Sequence, residues 1–302
     1  MLLDLYGRPI TNLRISVTQR CNLRCIYCHH EGQNGQFDEE IDREDILKVV
    51  KVAGEFGVRK LKITGGEPLL REDLPDIVNE IEGMREISIT TNGVLLSDLA
   101  EELKECGVTR VNVSLDSLRE ERYMKVTGAK KGIFERVVEG IELAHELDLT
   151  PVKINTVLLR GINEDEIQDL INFVSGKKMI LQLIELIGDD ALRGDILRVE
   201  KVLRERAKGV VFRKMHNRPK YFLNGAEIEV VKPVRNPEFC MHCTRMRVTS
   251  DGKLKPCLLR DDNLVSIRGC TEEEIRKRFK LAVGLRVPYY GDFHEGNNCC
   301  RL

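Results

Sequence analysis

The sequence lacks an excess of charge of either sign. Its 48 Lys and Arg against 49 Asp and Glu leave a net charge of −1 over 302 residues. A general nucleic-acid binder or a polybasic membrane anchor needs a sustained basic surplus, so both are excluded. The start, MLLDLYGRPITNLRIS, has no basic flank followed by an apolar stretch and carries no secretory signal. No apolar run approaches the ~18 residues of a membrane span. Internal repeats, low-complexity tracts and Pro-rich linkers are also missing. A chain of this length buries enough surface to need no disulfide staples, and its length suggests about two domains.

Against these absences stand ten cysteines. Without an export signal a cytoplasmic, reducing location is expected, where cysteines bind metal or catalyse more often than they pair. Cys21, Cys25 and Cys28 form C-x3-C-x2-C, and Cys240, Cys243 and Cys257 form C-x2-C-x13-C. Cys106 precedes Gly107 at a helix end and reads as a small core residue. Cys270, Cys299 and Cys300 are left without an assigned role.

Short β-branched runs recur at 13–17, 60–64, 86–90, 110–114, 151–159 and 179–186, each followed by a segment of helical period. Asp42 to Phe56 is the clearest helix, with Asp42 as cap and Gly57 as stop; others fit Arg71–Met84, Ser97–Cys106, Gly132–Leu147 and Glu164–Ser175. Strand–helix alternation implies a parallel sheet. Six units fall short of the eight of a full barrel, so the expected fold is α/β, an open partial (β/α)6 barrel with ligands at the C-terminal strand ends. Beyond about residue 208, VVFRKMH and YFLNGAEIEVVKP read as short strands with a hairpin turn at Asn224-Gly225, and SDGKLKP reads as another turn. The expected division is a core over 1–208 and a smaller α+β domain over 209–302.

Four donors close a coordination shell; three leave a position open for a reacting molecule. A zinc site completed by His29 or His30 is one alternative for the first group, but a His directly after Cys28 is poorly placed for it. The second group could be half of a zinc ribbon completed by His242 or Cys270.

The C-x3-C-x2-C loop after the first strand, with Gly65-Gly66-Glu67-Pro68 ending the second, resembles the radical S-adenosylmethionine superfamily. The resemblance implies a [4Fe–4S] cluster on Cys21, Cys25 and Cys28 whose open iron chelates the cofactor, with Tyr27 beside the adenine and Gly66 against the methionine group. The segment NPEFC-x2-C-TRMRVTSDGK-x3-C is similar to the C-terminal motif of the GTP 3′,8-cyclase family, which begins molybdenum cofactor biosynthesis. Gly7-Arg8-Pro9, LRISVT, TTNG at 90–93, NVSLDS at 112–117 and VKINTVLLRGIN at 152–163 extend that similarity over nearly the whole chain.

That resemblance implies a second [4Fe–4S] cluster on Cys240, Cys243 and Cys257, holding the purine of GTP. It places Arg245 and Arg247 on the triphosphate, a task suited to guanidinium forks. Arg14, Lys62, Thr90 and Lys153 become further GTP contacts and Ser114 a cofactor contact. The implied reaction is radical: a 5′-deoxyadenosyl radical removes the C3′ hydrogen of GTP, and the carbon radical attacks C8 to give 3′,8-cyclo-7,8-dihydro-GTP. The cofactor and clusters carry the chemistry, so no general acid or base is assigned. Implied partners are reduced ferredoxin or flavodoxin as electron donor and cyclic pyranopterin monophosphate synthase as the next enzyme, with a homodimer compatible.

The sequence departs from the family at Gln182, where an Arg is expected, at Ile187, where a Met is expected, and at its NNCCRL end in place of Gly-Gly. Two other readings are a radical S-adenosylmethionine enzyme that modifies a peptide and a non-enzymatic iron–sulfur carrier or sensor. Arg245 and Arg247 speak against the first, since a peptide needs no triphosphate clamp. The GGEP turn speaks against the second.

Overall fold

The structure, a computed structural model, describes residues 1–33, 35 and 40–291. Six parallel strands lie side by side in chain order: β1 (Asn12–Ser16), β2 (Lys60–Thr64), β3 (Glu86–Thr91), β4 (Arg110–Ser114), β5 (Val152–Leu158) and β6 (Met179–Glu185). They match the six aliphatic runs of the sequence to within one or two residues. Each gives a fully buried aliphatic side chain to one core: Ile15, Ile63, Ile89, Val113, Ile154 and Leu181. Parallel strands need crossovers, which α1 (Arg43–Glu55), α2 (Leu74–Asn79), α3 (Leu96–Glu105), α4 (Glu120–Thr127), α5 (Ile133–Glu146) and α6 (Ile167–Val174) supply. The α/β class is as expected.

Helix ends differ from the expectation in two places. Asp42 stands before α1, but its side chain makes no capping bond. The expected Arg71–Met84 helix shrinks to Leu74–Asn79, because Arg71 spends its guanidinium on Asp73 and on the carbonyls of Val17 and Ile41, and Gly83 turns left-handed at φ 76°. Cys106 is half-buried against the main core, with its thiol on the Leu103 carbonyl.

The C-terminal region adds α7 (Ile196–Arg206), β7 (Gly209–Arg213), β8 (Arg218–Leu223), β9 (Ala226–Val231), α8 (Pro237–Met241), β10 (Arg245–Val248), β11 (Lys253–Lys255), β12 (Val265–Ser266) and α9 (Glu272–Gly284). Its strands build no separate sheet. They extend the parallel one at both sides, giving the order β12-β11-β10-β1-β2-β3-β4-β5-β6-β9-β8-β7. β10 runs parallel to β1 and β9 parallel to β6, and β8–β9 is the hairpin expected at Asn224-Gly225, both residues at positive φ. α9 returns to pack on α1, with the Phe56 and Phe279 rings 5.6 Å apart.

β10 and β8 stand eight places apart in that order, about 38 Å if the sheet were flat. Yet the connection between β7 and β8 touches the segment that leads into β10. The His216 ring stacks on Phe239 at 3.8 Å, the His216 N–H donates to the His242 carbonyl at 2.8 Å, and Met215 Sδ lies 3.9 Å from Arg245. The sheet is therefore strongly curled, and its two wings meet over a cavity. Among the described residues no helix is long and apolar enough to cross a membrane.

Candidate functional site

The loop after β1 carries Cys21, Cys25 and Cys28 as free thiols. The GGEP turn at the end of β2 presses against its entry. A Cβ on Gly66 would lie 2.4 Å from the Arg20 carbonyl oxygen and 2.5 Å from that of Gln19, so only glycine fits. Glu67 then joins three motifs. Its buried carboxylate accepts from the Leu69 N–H at 3.0 Å, the Thr91 hydroxyl at 2.7 Å and the Asn92 N–H at 2.6 Å, while Asn92 reaches on to Asn22 at 2.7 Å. Burial outweighs these bonds and lifts Glu67 to about 7. On the other side the Tyr27 hydroxyl donates to Asp116 of the NVSLDS segment, and Asp116 accepts from the Val157 N–H at 2.8 Å. Burial raises Asp116 to about 6 and drives Tyr27 well above its ordinary value.

Burial, with the charges of Asp116, Cys28 and Cys21 adding to it, pushes the Cys25 thiol up to about 12. A cluster would take Cys25 as its thiolate, so binding one would release this proton. Among the described residues no group of three or more His, Cys, Asp or Glu gathers closely enough for one metal ion.

Cys240, Cys243 and Cys257 are likewise free and line the cavity. A buried ion cluster holds their backbone. Asp4 pairs with Arg8 at 2.8 Å and with Arg286 at 2.9 Å; Arg8 donates to the Cys240 carbonyl at 2.8 Å and Arg286 to that of Cys243 at 2.7 Å. Burial opposes ionisation of Cys243, but Arg286, the Arg245 N–H and the Arg245 and Arg247 side chains bring its thiol below the usual value. The two cysteine regions are tied together. Gln33 donates to Ser16 at 2.9 Å and accepts from the N–H and hydroxyl of Ser250 at 2.8 Å each, and Gly32 packs against the Leu258 carbonyl, next to Cys257.

The cavity measures about 1810 Å³, above the ~300–1,000 Å³ of an ordinary small-molecule pocket. Fourteen Lys and Arg but only three Glu line it, in a chain of net charge −1. Lys62, Arg245 and Arg247 have no carboxylate partner among the described residues. Burial, reinforced by Arg110 and other nearby cations, lowers Lys62 well below its ordinary value. Arg14 is paired with Glu31 at 3.3 Å, and burial would raise Glu31, but Arg14, His29, Arg247 and the Thr64 hydroxyl hold it at about 2. Glu31 itself sits at φ 54°. Four lining residues leave a buried polar atom without a partner: Arg14 Nε, Thr90 Oγ1, Arg218 Nε and Arg247 Nε.

The cavity gathers Arg14, Tyr27, Lys62, Thr90, Ser114, Lys153, Cys240, Cys243, Arg245, Arg247 and Cys257. Cys21, Cys25, Cys28 and Gly66 lie outside its lining, although Tyr27 and His29 on either side of Cys28 belong to it. Gln182 and Ile187 line it too; Cys270 is buried away from it, and Cys299 and Cys300 fall outside the described residues. Sequence reasoning missed Asp116, Glu31, Glu229, Arg213 and Arg218. Lys153 lies 2.7 Å from Glu229, which Arg213 contacts at 2.7 and 2.9 Å and Arg218 approaches at 3.6 Å. Burial would raise Glu229, but these three cations hold it at about 2.

The radical SAM superfamily family model matches residues 15–174, and that of Molybdenum Cofactor Synthesis C matches 181–291. A probable GTP 3′,8-cyclase of Archaeoglobus fulgidus is 51% identical over 298 residues, covering 96% of this chain and 99% of the relative. One of Methanocella arvoryzae is 49% identical over 293 residues, covering 96% and 95%. Among solved structures, native anSMEcpe with bound AdoMet aligns with a TM-score of 0.63 at 18% identity over 93% of this chain and 84% of that one. Streptococcus suis SuiB bound to S-adenosylmethionine aligns at 0.63 and 16%, over 83% and 60%. At such identities these structures speak for the fold alone.

Proposed function

The chain belongs to the radical S-adenosylmethionine superfamily and within it to the GTP 3′,8-cyclase family, and on that footing we propose how its residues divide the work of turning GTP into 3′,8-cyclo-7,8-dihydro-GTP, the first step of molybdenum cofactor biosynthesis. Membership implies one [4Fe–4S] cluster with S-adenosylmethionine, which when bound supply a 5′-deoxyadenosyl radical. Cys21, Cys25 and Cys28 are the residues to hold that cluster. Tyr27, braced by Asp116, Gly66 and Ser114 flank the cofactor.

Cys240, Cys243 and Cys257 would hold a second [4Fe–4S] cluster, which would supply an open iron to the purine. All three residues line the cavity, and buried arginines fix two of their carbonyls. Arg14, Lys62, Thr90, Lys153, Arg245 and Arg247 bind the nucleotide. The observation that carries this is the trio Lys62, Arg245 and Arg247, which line the cavity with no carboxylate within ion-pairing distance among the described residues. Cations crowded on one wall without a pairing carboxylate repel one another, and a triphosphate removes that cost. A peptide substrate would leave it standing. The side chains thus hold C3′ and C8 in place and exclude water, and none is needed to move a proton.

Residues 1–208 form the radical-generating core and 209–302 the unit that carries the second cluster and closes the barrel, and both contribute to the nucleotide site. Reduced ferredoxin or flavodoxin serves as donor in the cytoplasm. The product passes to cyclic pyranopterin monophosphate synthase, and a homodimer is compatible. Anaerobic reconstitution followed by reductant, S-adenosylmethionine and GTP tests the reading. About eight irons per chain and 5′-deoxyadenosine formed only with GTP are expected. Cofactor cleavage indifferent to GTP would refute the substrate.

A further inference from the structure

The wall built by β5, β6, β9 and β8 holds a cation that no motif assigned. Arg218 opens β8, is 8% exposed, and lines the cavity. Its Nη1 donates to the Gln182 side-chain carbonyl at 3.1 Å, and Gln182 in turn donates to Asn155 at 3.0 Å. Gln182 on β6 lies opposite Glu229 on β9, so the arginine reaches over β9 to bond it. Its Nε is buried and bonded to nothing.

Service as counter-ion to Glu229 explains this arginine only in part. Lys153 at 2.7 Å and Arg213 at 2.7 and 2.9 Å already occupy both Glu229 oxygens, whereas Arg218 stands 3.6 Å off, beyond hydrogen-bonding distance. One carboxylate thus faces three cations, a surplus of positive charge on a desolvated wall. The curl of the sheet turns that surplus toward the opposite wing, where Arg245 feels the charge of Arg218. Both guanidinium groups border the same cavity.

We propose that Arg218 is a further anion-binding residue of the cavity: it holds the polyphosphate of a nucleoside triphosphate from the β8 side while Arg245 and Arg247 hold it from β10, with Gln182 positioning its guanidinium. The unbonded Nε and Nη2, whose nearest carboxylate oxygen stands 3.6 Å away, form the fork edge left without a hydrogen bond, and two parallel donors suit phosphate oxygens. Gln182, a neutral acceptor, fixes the fork without neutralising it. The proposal rests on GTP being the substrate.

The test uses the reconstituted holoenzyme, titrated calorimetrically with GTP, inorganic triphosphate and guanosine. Arg218→Gln should weaken GTP and triphosphate binding by about 10- to 100-fold and leave guanosine unchanged. Adding Gln182→Arg to Arg218→Gln should restore much of the loss, which a purely structural arginine would not allow. Gln182→Ala should raise KM for GTP with little change in kcat. Should Arg218→Gln fail to fold, Arg218→Lys keeps the charge and loses the fork, and a smaller loss confined to the two phosphates is expected. Triphosphate binding unchanged in the folded variants, or guanosine binding lost in equal measure, overturns the role of Arg218. Failure of the substrate reading looks different: the wild type would bind triphosphate and lose it with Arg218→Gln, yet leave GTP unconverted. Equal KM for GTP in wild type and Arg218→Gln, with turnover intact, would sink Arg218 alone.

Discussion

Lys153 gives nucleotide binding a pH dependence that can be worked from its surroundings. Its ammonium group lies 2.7 Å from Glu229, yet burial, with Arg213 and Arg218 adding to it and Glu229 only partly offsetting it, lowers Lys153 to about 7. The free protein therefore carries this charge below about pH 7 and loses it as the pH rises. A bound triphosphate adds negative charge to the same wall and draws the pKa back toward its ordinary value. Above pH 7 binding then takes up a proton, and each pH unit weakens it by up to about tenfold. Between about pH 7.5 and 9 the charged fraction of free Lys153 falls about 20-fold, so the dissociation constant for GTP should rise about 20-fold. Burial lowers Lys62 as well, so its charge depends on pH in the same sense. Calorimetric titration in two buffers of different ionisation enthalpy reads the proton count directly. The wild type should take up about one proton more than Lys153→Arg at pH 9. An affinity that stays level across this range, with equal proton uptake in the two proteins, would refute the reasoning.

Three further outcomes follow from buried contacts. Glu229→Gln removes the anion shared by Lys153, Arg213 and Arg218 and should cost about 3–5 kcal/mol in urea unfolding at neutral pH, with part recovered on adding triphosphate. Because the folded pKa of about 2 lies below the ordinary 4.5, the Glu229 contribution is complete above about pH 4.5 and fades as pH falls toward 2; a variant deficit that stays constant down that range would contradict the assignment. Gly66→Ala drives a methyl group into the Arg20 and Gln19 carbonyls, and the turn must shift at a cost of about 1–3 kcal/mol; S-adenosylmethionine binding should weaken while GTP binding holds, as equilibrium dialysis would show. Asp4→Ala leaves Arg8 and Arg286 buried and unpaired behind Cys240 and Cys243, so iron analysis and electron paramagnetic resonance should show loss of the second cluster with the first retained.

The six parallel strands were legible because each sets buried aliphatic side chains, alternating with polar ones that line the cavity, between segments of helical period. The cysteine loop, the GGEP turn, TTNG and NVSLDS were legible because all follow strands, where a parallel sheet gathers its ligands. α9 went unread although Thr271 and Glu274 form a reciprocal capping box whose spacing is visible in the sequence. The partners of the motifs had no local signal. Tyr27 meets Asp116 across 89 residues and Arg8 meets Arg286 across 278, and neither contact leaves a period or a spacing in the chain.

The charge of the site shows why composition could not reveal it. A net charge of −1 describes the chain, while fourteen cations against three carboxylates describe one cavity. Eight of those cations and two of the carboxylates precede residue 174; the C-terminal region, with β10 on β1 and β9 on β6, adds six cations and one carboxylate, bringing Arg245 and Arg247 on one wing and Arg213 and Arg218 on the other. The 1–174 portion alone would present Arg14 on an unpartnered β1 edge with Lys62 beside it on β2, and among the described residues Glu31 pairs with Arg14. The C-terminal strands therefore do more than carry three cysteines. They crowd further cations around the Arg14 and Lys62 already there, and each added positive charge raises the gain on filling the cavity with a triphosphate.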